Sequence, residues 1–89
     1  WSTDITYIKL EKGFAYLAAI IDWNSKKILS WKLSNTMDVS LTTSVLKDAL
    51  SKYPKPEILN TDQGSQYTAK EHIDILVKNS ISISMDAKG

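Results

Sequence analysis

The chain reads as an α/β domain on a mixed five-stranded sheet, in the order β-β-β-α-β-α-β. Three observations predict this. The first third of the chain alternates apolar and polar residues at the two-residue period of strands. After Asp38 the apolar residues recur at three- and four-residue steps, the period of an amphipathic helix. In the last third, two short strand-like runs flank a second helical stretch, and a strand that follows a helical crossover normally runs parallel to its partner.

Thr3 to Leu10 (TDITYIKL) is β-branched and alternating, which predicts a first strand. Glu11-Lys12-Gly13 is a turn, with glycine free to take positive φ. Phe14 to Asp22 (FAYLAAIID) is almost continuously apolar and suits a strand buried on both faces. Trp23-Asn24-Ser25-Lys26 makes a second turn, and Lys27 to Leu33 alternates with Leu29, Trp31 and Leu33 on one face. These three strands form an antiparallel meander. The first helix begins at an Asp38 N-cap, carries Thr42, Val45, Leu46, Ala49, Leu50 and Tyr53 on one stripe, and stops at Pro54 and Pro56. Glu57 to Asn60 is a short strand running into Thr61-Asp62-Gln63-Gly64. Thr68 and Glu71 form a capping box for a second helix with Ala69, Ile73, Leu76 and Val77 inward, ending at Asn79-Ser80. Ile81 to Met85 is the last strand.

The 89 residues, with 43% hydrophobic and 24% charged, are the size and composition of one domain and too few for two. Absence of cysteine excludes disulfides and thiolate metal sites. No apolar run is long enough to span a membrane. Net charge is +1, so a strongly basic nucleic-acid arm is excluded. All eleven basic residues are lysine, which removes bidentate arginine recognition of phosphate or guanine. The first residue is Trp1, which suggests a piece of a longer protein.

Two aspartates draw chemical interest. Asp4 stands inside a strand, where aspartate is depleted because it favours turns. Asp62 follows a strand directly, and by itself it reads first as a turn residue before Gly64. Ligands of such sheets bind beyond the carboxyl ends of parallel strands. If the fourth strand lies beside the first, Asp4 and Asp62 become neighbours. An oxygen-only ligand pair suits Mg²⁺ or Mn²⁺.

The strings Trp1-Ser2-Thr3-Asp4-Ile5-Thr6-Tyr7, Ile20-Ile21-Asp22, Thr61-Asp62-Gln63-Gly64-Ser65-Gln66-Tyr67-Thr68 and Ser84-Met85 before Lys88-Gly89 resemble the integrase-type catalytic core of bacterial insertion-sequence transposases. That family consists of DDE recombinases with a ribonuclease H-like fold. The resemblance covers the whole chain. It implies a single partial catalytic core over residues 1–89, with Asp4 and Asp62 as the first two catalytic, metal-binding acids. The third is a Glu on a following helix; Glu71 is too near Asp62 and no Glu follows it, so that acid is expected beyond Gly89. Two Mg²⁺ or Mn²⁺ ions would occupy the complete site. The implied activity is cleavage and strand transfer of element-end DNA by a homo-oligomeric transposase in the bacterial cytoplasm at the nucleoid, with this chain inactive alone. The alternatives are an inactive remnant that only folds, associates or binds nucleic acid weakly, and a ribonuclease H-like nuclease.

Gln63, Ser65, Gln66 and Tyr67 read either as a polar loop entering a capped helix or as contacts to DNA phosphate and sugar. Lys88 is a solvated lysine or a phosphate contact. Asp22 introduces a turn, Asp38 caps a helix, and Asp48 and Asp74 belong to solvent faces. His72 is expected at the surface or the core edge, Trp31 in the core, Trp23 at the surface, and Trp1 beside the sheet. Binding of duplex DNA by this chain is expected to be weak and to fall steeply with salt, because lysine-phosphate contacts release counterions. Fluorescence anisotropy of a labelled duplex across a salt series measures this; sequence-specific binding at physiological salt would contradict it.

Overall fold

A computed structural model of the chain describes residues 1–61 and 65–85. Strands β1 (Ser2–Leu10), β2 (Gly13–Asp22) and β3 (Lys27–Ser34) form the expected meander. Helix α1 (Val39–Lys52) is followed by β4 (Ile58–Thr61), a one-turn helix α2 (Ser65–Thr68), α3 (Lys70–Lys78) and β5 (Ser82–Met85). The sheet order is β3-β2-β1-β4-β5. β1 is antiparallel to β2 and parallel to β4, and β5 is parallel to β4. The mixed five-stranded α/β sheet with helices packed on it is thus the observed fold.

The helices pack on one face. Residues opposite one another across a ladder share a face, so the register groups Thr3, Ile20 and Ser30 together. That side carries the core of Ala18, Ile20, Val45, Leu46, Ala49, Leu59 and Leu76. Helix α1 is locked on by Asp38, whose Oδ1 accepts from the Leu41 N–H at 3.2 Å and from the Ser40 hydroxyl at 2.7 Å. Those bonds hold the Asp38 carboxyl below its ordinary pKa. Asp48, expected on a solvent face, instead accepts from the buried Ser30 hydroxyl at 2.9 Å and pairs with Lys52 at 3.2 Å. It therefore ties α1 to β3, and the Ser30 bond, followed by Lys52, lowers its pKa. Asp74 is exposed as expected, paired with Lys70 at 2.7 Å.

Several local expectations are corrected. Trp31 is 62% exposed and Leu33 is also exposed. The register slips by one residue between Ile20 and Ile21, so that β2 passes from Ser30 to Ile28 and skips Leu29. This β-bulge turns Leu29 and Ser30 inward together and parts Leu29 from Trp31 and Leu33. Toward the helices β2 is fully buried at Ala18 and Ile20; on its other face Ala15 is buried while Leu17, Ala19 and Ile21 are half-buried. Thr68 does not cap α3: it closes α2, and Ala69 (φ −64°, ψ 146°) breaks the chain direction and stands at the N-cap without a side-chain bond. The inward face of α3 rotates accordingly, burying His72 and leaving Val77 exposed.

The end of α3 is a Schellman motif. Ser80 takes the left-handed conformation (φ 58°) in place of Asn79, the Ser80 N–H donates to the Val77 carbonyl, and the Ile81 N–H donates to the Leu76 carbonyl at 2.9 Å. Leu76 and Ile81 are both buried, which sends the chain directly into β5. Replacing fully buried Leu46 with Ala is expected to cost about 2–5 kcal/mol. Trp31→Ser is expected to change stability by no more than about 0.5 kcal/mol. Urea unfolding of both variants checks this; equal effects would overturn the assignment of the two faces.

Candidate active site on strands β1 and β4

Asp4 lies on the sheet face opposite the helices, in one row with Ala19 and Trp31. Its side chain is exposed, and Oδ1 accepts the Ile5 N–H at 2.9 Å. That short-range bond resolves the conflict of an aspartate in a strand: the carboxylate turns along the strand and satisfies itself locally, without leaving the ladder. Among the described residues no other side chain occupies the carboxylate, so its oxygens are open to an outside ligand.

The neighbouring strand is β4. Ser2 pairs with Asn60, the Asn60 N–H donates to the Trp1 carbonyl at 2.9 Å, and the chain leaves β4 at Thr61. The sequence-predicted Asp62, Gln63 and Lys88 lie outside the described residues. Ser65 opens α2, and Gln66 is half-buried. Tyr67 is 1% exposed, so its side chain has no surface to offer a nucleic acid. The DNA contact expected there is corrected to an internal packing position, because the one-turn helix points the ring into the core.

Sequence reasoning missed what lies beneath Asp4. Thr3 alternates with Asp4 and so faces the helices; it is buried, with Oγ1 3.4 Å from the Tyr67 hydroxyl. The Tyr67 ring meets the His72 ring edge-on, centroids 5.4 Å apart. The alternation of β1 was the signal that could have found Thr3. Asp22 behaves as expected, accepting from the Asn24 N–H and the Ser25 hydroxyl within its turn.

An oxygen-ligated divalent cation fits Asp4 in donor chemistry: an exposed hard carboxylate with free lone pairs. Among the described residues, no three His, Cys, Asp or Glu side chains converge on a common point. A hollow of about 490 Å³ lined by Trp1, Asp22, Trp23, Lys55, Asn60 and Ser84 does not include Asp4. It lies between the β4 entry and the 23–26 turn.

The description "Integrase core domain" fits residues 1–89, the whole chain. The chain belongs to the integrase core family. This integrase core is 36% identical over 91 residues to the transposase InsF of insertion sequence IS3A from Escherichia coli K12, and 40% identical over 91 residues to the transposase of IS904 from Lactococcus lactis. Both alignments cover all of the chain but only 32% and 36% of those relatives, so it spans about a third of their length. Among solved structures it is similar to the HTLV-2 integrase catalytic core domain in complex with magnesium, in a trimeric form. The TM-score is 0.86 at 26% identity, covering 97% of this chain and 57% of that one. The catalytic core of BIV integrase shares the fold at TM-score 0.77 and 16% identity. The resemblance read from the Asp4 and Asp62 strings and the ribonuclease H-like fold are therefore borne out at the level of family and architecture.

His72 contributes to stability and pH response. It is 1% exposed, and neither ring nitrogen has a hydrogen-bond partner. Burial holds its pKa below the ordinary histidine value; the Tyr67 backbone pulls weakly the other way without reaching hydrogen-bond geometry with the ring. A histidine with a depressed folded pKa takes up a proton on unfolding in acid. Its contribution is complete above the unfolded value of about 6.5 and is lost as pH falls below it. The thermal midpoint is expected to drop between pH 7 and pH 5, and His72→Leu to flatten that drop. Identical pH profiles would show that His72 is not the group responsible.

Proposed function

We propose that the protein carrying this integrase core is a transposase that cuts the ends of a mobile DNA element and joins them to a target, and that Asp4 and Asp62 are two of its catalytic acids. One observation carries the reading. Asp4 is an exposed carboxylate two residues beyond Ser2, and Asp62 stands two residues beyond Asn60, the partner of Ser2 in the parallel ladder. Asp62 is the residue after Thr61, where β4 ends, and β4 is the sheet neighbour of β1, the strand that carries Asp4. Membership of the family and relatives that are insertion-sequence transposases support the same conclusion.

In this reading Asp4 and Asp62 hold Mg²⁺ or Mn²⁺, two ions in the complete site. Support for the metal comes from the oxygen donor set and from the HTLV-2 integrase core, which was solved with magnesium. When bound, such a pair of ions activates the attacking oxygen and neutralises the leaving one in phosphodiester displacement. The remaining work of the protein is positioning and electrostatics, which needs no Ser, Cys or Tyr nucleophile. This chain supplies two acids of three and is inactive by itself, the third belonging to a later helix of the whole protein. Gln63, Ser65, Gln66 and Lys88 are the positions proposed to meet DNA backbone. Joining two DNA ends calls for more than one copy; the HTLV-2 core was solved in dimeric as well as trimeric form. Among the described residues no helix is long and apolar enough to cross a membrane. The insertion-sequence transposase relatives support placing the whole protein in the bacterial cytoplasm, at nucleoid DNA.

A second reading is an inactive remnant that still folds. The two are separated in the full-length protein. Asp4→Asn and Asp62→Asn are each expected to lower strand transfer by about 100-fold or more while leaving the thermal midpoint within a few degrees. A strand-transfer gel and a thermal melt measure both. Retained transfer in either variant sinks the assignment of that acid, and no transfer by the unsubstituted protein favours the remnant.

A further inference from the structure

The sheet face that packs on the helices runs on past them, to the outer end of the β1–β2 hairpin. Residues paired across these strands share that face: Thr3 with Ile20, Ile5 with Ala18, Tyr7 with Tyr16, and Lys9 with Phe14. Ile20 and Ala18 are fully buried. Further out the cover ends, and Tyr7 is 58% and Phe14 43% exposed. Tyr7, Phe14 and Tyr16 meet there in a closed trio, with ring centroids 5.6, 5.6 and 5.5 Å apart. The Tyr7 and Phe14 rings stack at 25°, and Tyr16 stands edge-on to both. Tyr16 is half-buried and packs against the core, so it braces the other two from below. Cross-strand aromatic pairing stabilises a hairpin. It does not account for rings left open to solvent among cations. Between Tyr7 and Tyr16 the charged residues are Lys9, Glu11 and Lys12, and Lys32 lies opposite Ala18 on the same face. All three lysines are exposed, and among the described residues none of them has an ion-pair partner.

We propose that this trio is a stacking platform for the unpaired bases of single-stranded DNA, with Lys9 and Lys32 meeting the phosphates. Braced aromatic rings beside cations are the combination that holds a single strand, because every base has a face to stack and every linkage a negative charge. A second copy of the chain is a poorer occupant. A wholly exposed aromatic ring carries about 150–250 Å², and these rings are already partly covered, so they offer well under the roughly 800 Å² that each partner of a stable dimer buries. The excess of lysine would also set like charges against each other in such a pair. The platform lies on the face opposite Asp4, so the strand it takes is not the one being cut. The choice of DNA over RNA rests on the function proposed above; the geometry itself asks for bases and phosphates.

The full chain is titrated with a short thymidine strand, with a strand of equal length lacking its bases, and with a uridine RNA of equal length. Anisotropy of a labelled strand gives the affinity, and the NMR signals of the Tyr7 and Phe14 ring protons report contact. The thymidine strand is expected to move both ring signals upfield and to bind about tenfold more tightly than the abasic strand. Tyr7→Leu and Phe14→Leu, which keep apolar bulk, are each expected to weaken the thymidine strand about tenfold and to leave the abasic strand unchanged. Lys9→Gln is expected to weaken both strands alike and to flatten their salt dependence. Should a leucine variant fail to fold, the abasic comparison and the ring signals of the unsubstituted chain decide. Equal affinity for thymidine and abasic strands, or ring signals that stay still, overturns the platform and leaves the assignment of Asp4 and Asp62 standing. Tighter binding of the uridine strand overturns the choice of DNA. Ring signals that move with protein concentration alone place a second copy on the trio and overturn the proposal.

Discussion

The parallel ladder between β1 and β4 is the constraint on which the rest of the molecule depends. It joins two halves of different character, an antiparallel meander and a pair of parallel strands reached through helices. Its anchoring bond, from the Asn60 N–H to the Trp1 carbonyl at 2.9 Å, fixes the register of Asn60 against Ser2. A slip of one residue would turn Leu59 and Thr61 away from the core and move Asn60 inward. The same register determines which residues of β1 stand next to the end of β4.

Helix α1 enforces this arrangement from one side. Leu46 and Ala49 are completely buried in the same cluster as Ala18, Ile20 and Leu59, with α1 packed on β2, β3 and α3. The Ser30–Asp48 bond sets its height on β3. Through α3 the same core reaches His72 and Tyr67, and through Tyr67 it reaches Thr3, immediately before Asp4. The candidate site is therefore built from both faces: the carboxylate on the exposed side, and the groups that hold its strand on the buried side.

The other face shows what these elements leave uncovered. Trp31, Leu33, Ile28 and Ile58 are all exposed there, beside Asp4 and Thr6. A hydrophobic alternation normally signals a buried face, and on β3 it suggested one. The signal was correct about periodicity and wrong about cover, because periodicity says which residues share a side and not which side receives a helix. The bulge at Leu29 compounded this by sending one member of the apparent stripe to the opposite face.

Much was legible in the sequence because it is local. Strand alternation, the Asp38 cap, the Asp22 turn and the breaks at Pro54 and Pro56 depend on neighbours a few residues apart, and the structure contains them. The strings around Asp4 and Asp62 were also enough to indicate the family. What only the tertiary structure decided involves partners distant in sequence. Burial of His72 over Val77 follows from the turn at Ala69, which rotates α3 about its axis. The inward placement of Tyr67 follows from contacts with Thr3, 64 residues away, and with α3. The tie of Asp48 to Ser30 joins a helix to a strand 18 residues earlier. Local propensity fixes conformation within a segment, but the orientation of each segment is chosen by which faces the assembled core can bury together.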